Sequence, residues 1–562
     1  MYCRFSVIAL AAAACLAATT PAGAAGSFQS ISKLWSTAST GTAGISGAAN
    51  AATRLPDFSA EIGAWDSVSR TIFSAGGKGI ELLNLNGTVH STFDTASFGE
   101  INSISIFNGI AAMSFANAAN KGLDGTVQFF NTQTFRNSGG GAALLGFVTV
   151  GSVPDMVTWT ANGTKLLVAN EGERQAGGTI DAAGSISIIS FNSAAPSSSA
   201  VTTLGFTAWN GQEAALRASG VRIGAGLSTS VALEPEYIAV APNGLQAHVT
   251  LQEANAVAII DLTTNTITGI KALGKKDFSL PGNAIDTSDR DSPDVVNGTF
   301  INPRNVPVFG LYMPDAIASY SVGGQTFYVL ANEGDAAVDD SDIRRFGANT
   351  VTVAAPLPLK TELTTIGSIH SRLNIVTNGA TGSGSASNMT EIITLGGRSF
   401  SIRDANGDLV WDSKNDLETR AIAAGLYDDG RSDDKGVEPE GVTIFSANGR
   451  TFAAIGLERT TRSAVALYDV TNPAAPTFEG WAETGAGTAD RRAEGVTTFM
   501  DGGKLYLLVS NEGIASDTSP GDFTTLGSTT LYEITPVPEP GTYALMLAGL
   551  LGVAAVARRR RG

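Results

Sequence analysis

The chain predicts an all-β fold, a seven-bladed β-propeller with insertions. A hairpin unit recurs seven times, its turn chemistry recurs with it, and a third strand-like run often follows. The clearest copy opens on Glu440, runs through Gly441-Val442-Thr443-Ile444-Phe445, turns at Asn448-Gly449 and closes at Leu457-Glu458. Two apolar runs flanking Asn-Gly read as a tight β-hairpin. In an antiparallel pair the start of one strand lies beside the end of the other, so the opening and closing acids should meet. Four more copies run from Asp155 to Glu171 around Asn162-Gly163, from Glu236 to Glu253 around Asn243-Gly244, from Asp315 to Glu333 around Gly323-Gly324, and from Glu494 to Glu512 around Gly502-Gly503. Two weaker copies lack the closing Glu. Glu61 leads to Ser74-Ala75-Gly76-Gly77, and Glu100 turns at Asn108-Gly109. Third strands are visible at Val257–Leu262, Ala464–Val470, Thr529–Ile534 and Ser185–Ser190. Such repeats mean a propeller or solenoid, and seven units of three or four strands favour the propeller.

Along the chain, Arg4 precedes an apolar run, Val7–Ala18, and Ala22-Gly23-Ala24 supplies a cleavage site, so residues 1–24 read as a signal peptide. Residues 25–56 read as a Ser/Thr/Gly/Ala-rich linker, with room for one segment to return as the outer strand of the last blade. The repeats occupy 57–535. Their opening acids lie 39 to 125 residues apart, so a unit of about 40 residues carries insertions. These fall at 174–232, with a short helix around Gln212–Ser219, at 263–312 and at 336–436. In the last segment, 536–562, an apolar run, Tyr543–Ala557, ends in Arg558-Arg559-Arg560-Arg561. The run reaches the lower limit for a transmembrane helix if the arginines snorkel. Those arginines put the C-terminal end in the cytoplasm and the propeller outside.

Composition excludes several classes. The net charge of −16 disfavours nucleic acid. Both cysteines, Cys3 and Cys15, lie in the segment expected to be removed, so the mature chain has no disulfide. The three histidines, His90, His248 and His370, form no metal-ligand pair. There is no H-E-x-x-H, G-x-S-x-G or Walker loop, which disfavours zinc hydrolase, serine hydrolase and P-loop chemistry.

Val537-Pro538-Glu539-Pro540, the apolar run and the arginine terminus together resemble a PEP-CTERM sorting signal. That resemblance implies processing by an exosortase-type membrane protease, delivery to the cell surface or its matrix, and a Gram-negative host. The repeat region resembles the choice-of-anchor I family through Leu167-Val168-Ala169-Asn170-Glu171-Gly172-Glu173, Leu233-Glu234-Pro235-Glu236-Tyr237-Ile238, Val249-Thr250-Leu251-Gln252-Glu253-Ala254-Asn255, Met313-Pro314-Asp315-Ala316-Ile317 and Arg431 through Gly441. It implies a seven-bladed propeller. Some members carry alkaline-phosphatase-like names, but the family name describes anchoring rather than chemistry.

The opening acids Glu61, Glu100, Asp155, Glu236, Asp315, Glu440 and Glu494 would line one mouth of the central channel, beside the closing acids Glu171, Glu253, Glu333, Glu458 and Glu512. Clustered carboxylates raise one another's pKa unless a cation neutralises them, and oxygen-only ligands select hard ions, calcium first. The alternative is structural: each acid accepts backbone N–H bonds and sets blade geometry. The leading expectation is a surface-anchored, calcium-stabilised binding or matrix module, with extracellular polysaccharide as one partner. The runner-up is a metal-dependent phosphoesterase. There Asp433, Asp434, Glu440, Asp315 and Glu236 hold metal while Arg431 or Lys435 holds phosphate. Against it stands the reading of Asp428–Gly436 as a solvated charged turn. Asp404-Ala405-Asn406-Gly407-Asp408 is open to two readings, a calcium loop or a hairpin turn. Asp286, Asp289 and Asp291 form a similar weak candidate.

Overall fold

A computed structural model describes residues 27–37, 54–55, 58–174, 181–291, 300–336, 342–352, 370–377, 384–385, 388–515 and 523–537. Among them are seven four-stranded antiparallel sheets. Their inner strands are Ile62–Asp66, Ile101–Phe107, Pro154–Trp159, Pro235–Val240, Ile317–Val322, Pro439–Ala447 and Ala493–Asp501, in blades one to seven. Each inner strand touches the next, and the seventh touches the first, closing the ring. The expected signal peptide and sorting helix lie outside the described residues. No helix among those described is long and apolar enough to cross a membrane.

Blade seven takes its outer strand from the other end of the chain. Phe28–Ser36, inside the expected linker, pairs antiparallel with Ser528–Pro536. Arg54 adds a second tie. It pairs with buried Glu81 of blade one at 2.9 Å and donates to the Gly527 carbonyl at 2.7 Å.

Turn residues set the hairpins. Asn108-Gly109, Gly323-Gly324, Asn448-Gly449 and Gly502-Gly503 have positive φ at both central positions, as type I′ turns require. At Asn162-Gly163 and Asn243-Gly244 only the glycine is left-handed, and the loop is longer. Blade one differs from the sequence expectation. Its first hairpin turns at Ser67–Arg70, and Gly77 sits where other blades place the closing acid. Middle strands are covered on both faces by neighbouring blades, so they read as continuous apolar runs. Leu507, Leu508 and Val509 are all buried.

The expected short helix in the first insertion is Glu213–Ser219. Segments from the other two insertions build a small core of their own around Phe278, Ile285, Val308, Phe346, Ile375 and Met389. Near the axis the inner strands approach so closely that side chains do not fit. A Cβ on Gly495 would lie 2.3 Å from the Glu61 carbonyl oxygen, and one on Gly441 2.2 Å from that of Glu494. Gly495→Ala is therefore expected to lower stability by about 1–3 kcal/mol in a urea melt. Gly205→Ala, whose Cβ meets nothing within 4 Å, should be near neutral. Equal effects would refute the packing argument.

Candidate functional site

A recurrent backbone device aims the opening acids. Two residues before Asp155, Asp315, Glu440 and Glu494 stand Val153, Met313, Glu438 and Arg492, with φ of 44°, 43°, 48° and 58°. Left-handed backbone at a β-branched residue such as Val153 is strained, by roughly 1–3 kcal/mol, and persists only where its surroundings enforce it. Here the carbonyls are engaged. Val153 O accepts from the Glu171 N–H at 2.8 Å, Glu438 O from Glu458 at 2.9 Å, and Arg492 O from Glu512 at 3.0 Å. A β-bulge follows. Register shifts fall across Pro154/Met156, Pro235/Ile238, Pro439/Val442 and Ala493/Val496. The opening acids Asp155, Glu236, Glu440 and Glu494 are residues within those bulges, which re-aim side chains. Proline at 154, 235 and 439 stands first in its strand, where its missing donor is tolerated.

Most opening acids converge on the axis. A channel of about 210 Å³ is lined by Glu61, Asn102, Asp155, Tyr237, Asp315, Gly441 and Glu494, one from each blade, and among the described residues neither Lys nor Arg lines it. Glu440 sits beside it, with Oε2 buried and facing no donor. Burial first, then neighbouring carboxylates, pushes Asp155 up to about 7 and Glu61 to about 8. The same causes hold Asp315, Glu440 and Glu494 well above the carboxylate range. The structural alternative predicts backbone donors to these acids. Among the described residues only Gly77 N–H to Glu61 Oε1, at 3.2 Å, provides one.

The closing acids of blades five to seven meet cations instead. Glu333, Glu438 and Glu458 gather within 4.8 Å of one another, as do Glu458, Glu494 and Glu512. Lys435 Nζ lies 2.6 Å from Glu333 and 3.1 Å from Glu438. Arg431 lies 2.7 Å from Glu438 and 2.8 Å from Asp434. Arg459 holds Glu458 at 2.9 Å and Arg492 holds Glu512 at 2.6 Å. Arg431 and Lys435 thus grip carboxylates rather than facing the channel as phosphate hands. Asp433 and Asp434 are not brought to the ring. Asp433 pairs with Arg345 at 2.6 Å and Arg372 at 3.0 Å, and Asp434 with Arg431 and Asn374. Ser432 and Asp433 are buried while Asp428 and Gly430 are exposed, so only the start of Asp428–Gly436 is a solvated turn.

The remaining acids of blades three and four, Glu171, Glu236 and Glu253, face a separate cavity of about 440 Å³ with Glu234 and Arg222. Asp404–Asp408 is the hairpin turn. Asp404 accepts from the Asn406 and Asp408 N–H groups, and Asp408 pairs with Lys271. Asp289 is held by Arg372, and Asp286 accepts from the Ser288 and Asn302 N–H groups. Sequence reasoning passed over Glu438, Arg459, Arg492, Arg222 and Arg398. Glu438 carried one usable signal, its place two residues before an opening acid.

A family profile, the Choice-of-anchor I domain, matches residues 61–473, and the PEP-CTERM protein-sorting motif matches 536–561. Comparison with curated proteins finds no similar sequence. Among solved structures, the WD40 domain of Toxoplasma gondii coronin aligns at TM-score 0.42 and 8% identity, covering 92% of this chain and 90% of that one. The WD40 domain of Neurospora crassa Pan2 aligns at 0.41 and 9%, covering 91% and 96%. The β-propeller domain of Myceliophteria thermophila Cps50 (Swd1) aligns at 0.40 and 8%, covering 86% and 98%. These are similarities of fold.

Proposed function

Because the chain belongs to the choice-of-anchor I family and carries a PEP-CTERM sorting motif, we propose that it is an exported, surface-displayed binding module whose axial channel holds a hard divalent cation, calcium first. The motif implies processing by an exosortase at the membrane of a Gram-negative cell. One observation carries the cation reading: Glu61, Asp155, Asp315 and Glu494 line a single channel that no Lys or Arg among the described residues lines. Glu440 adds a buried oxygen that faces no donor. Calcium takes 6–8 oxygen ligands in flexible geometry, and water would supply most of them here, because the axial acids do not gather within 4.8 Å of one another as Glu458, Glu494 and Glu512 do. Oxygen donors alone favour calcium, magnesium or manganese over softer metals. The acids and Asn102 come from six of the seven blades, so a cation there would tie those blades together, as suits a displayed module meeting matrix polysaccharide.

Elemental mass spectrometry of the purified protein, dialysed without chelator, is expected to find at least one calcium per chain. Glu440→Gln should weaken calcium binding about tenfold or more by titration calorimetry. No stoichiometric metal, with melting unchanged by EGTA, would make the ring a structural device.

A further inference from the structure

The cavity between blades three and four shares no lining residue with the axial channel. Its walls differ in kind. Seven carboxylates, Glu234, Glu236 and Glu253 among them, line it with Arg174 and Arg222, and Ala225, Leu227 and Ala232 supply an apolar surface. Glu236 is only 7% exposed. Its Oε2 and that of Glu253 are buried and face no donor. The buried cation in the cavity, Arg222, is already engaged. Its Nη2 binds Asp342, and its Nη1 donates to the Glu253 carbonyl at 3.2 Å.

We propose that this cavity binds an organic ammonium ligand, a primary amine on a short carbon body. Its ammonium sits among Glu234, Glu236 and Glu253, and its body lies against Leu227 and the alanines. Size and lining favour this over a bare ion. At about 440 Å³ the cavity falls within the roughly 300–1,000 Å³ of small-molecule sites. An ion would leave most of it to water, whose share is about 30 Å³ per molecule. The apolar wall has no part in ion coordination, whereas a carbon body covers it. An ammonium brings three donors and no acceptor, which matches buried carboxylate oxygens that lack donors. A carboxylate or phosphate ligand would meet the acids directly and is excluded.

The test is calorimetric titration of the full chain, saturated with calcium, with 1,4-diaminobutane and with glucosamine. Butane-1,4-diol and glucose are the uncharged matches. Both amines are expected to bind and neither uncharged compound to do so. Glu234→Gln and Glu236→Gln should each weaken the amines about tenfold or more. Glu61→Gln, in the axial channel on blade one, should leave amine affinity within about twofold. Each substitution removes a charge that its neighbours repel, so folding is expected to survive, and a melting curve checks it. The proposal is overturned if folded protein gives no amine heat, or if the diol and glucose bind as well. It is also overturned if Glu61→Gln abolishes amine binding while Glu234→Gln leaves it intact, because the amine is then merely competing for the axial cation.

Discussion

Arg398→Met is expected to lower the stability of the chain by about 3–5 kcal/mol, the largest single effect of any substitution considered. Arg398 is 1% exposed and its guanidinium joins three segments. Nη1 donates to the Asp286 carbonyl at 3.0 Å and to Glu418 Oε1 at 3.3 Å. Nη2 donates to the Ser432 and Asp434 carbonyls, each at 2.8 Å. Glu418, on the helix Asp416–Ala423, is itself buried. Removing the guanidinium strips a buried carboxylate of its nearest cation and leaves buried carbonyls without donors, each a recognised source of large loss. The urea midpoint reads the total. Hydrogen exchange at the Asp434 and Gly436 N–H groups, which bond to the Arg431 carbonyl, reads the local part. The double variant Arg398→Met/Glu418→Met should recover part of the loss, because an apolar pair replaces an abandoned charge. A single-variant loss below about 1 kcal/mol would show that Arg398 is not the clamp.

Arg398 marks where legibility in the sequence stops. The blades were legible because Asn-Gly and Gly-Gly turns act locally and the acid-to-acid hairpin repeats. Blade closure by Phe28–Ser36 was open only as a possibility, because its partner, Ser528–Pro536, lies nearly the whole chain away. The opening acids were legible as a ring, since the period of the hairpin puts them at one end. Which of them share a cavity was not. The bulges at Pro154/Met156 and Pro235/Ile238 turn Asp155 to the axis and Glu236 to the neighbouring cavity, and bulges leave no simple residue signature. Arg431, Lys435, Asp433 and Asp434 were read as one functional loop. Partners from distant insertions, Arg345 and Arg372 on Asp433 and Glu333 on Lys435, divide it.

Without metal, the chain is expected to become less stable as pH rises from about 5 to 8, the reverse of the usual carboxylate behaviour, and calcium should reduce that slope. An acid whose pKa is higher folded than unfolded keeps its proton longer in the folded state. The folded chain then binds more protons between the two values, so stability falls as pH rises through that window. Burial, then neighbouring carboxylates, raises Glu458 from 4.5 to about 8 and Glu61 from 4.5 to about 8. Asp155 goes from 3.8 to about 7 and Glu253 from 4.5 to about 7. The window therefore runs from about 4 to 8. Each unit of such a shift is worth about 1.4 kcal/mol, and because the acids titrate together their separate shifts do not add. His248 opposes this, because burial lowers it from 6.5 to about 4. The unfolded chain gains that proton first on acidification, so His248 trims the stability regained below pH 6.5. Urea midpoints at pH 5.5 and 8.0 in EGTA should thus favour the lower pH. In calcium the axial carboxylates, Glu61 and Asp155 among them, exchange protons for the ion, and the difference should shrink to the part that Glu458 and Glu253, outside the channel, contribute. Glu440→Gln removes one of the carboxylates that repel one another and should flatten the EGTA slope without restoring the calcium response. A chelated protein that gains stability from pH 5.5 to 8.0 would show that the ring carries no excess protons, and with it the cation reading would lose its electrostatic basis.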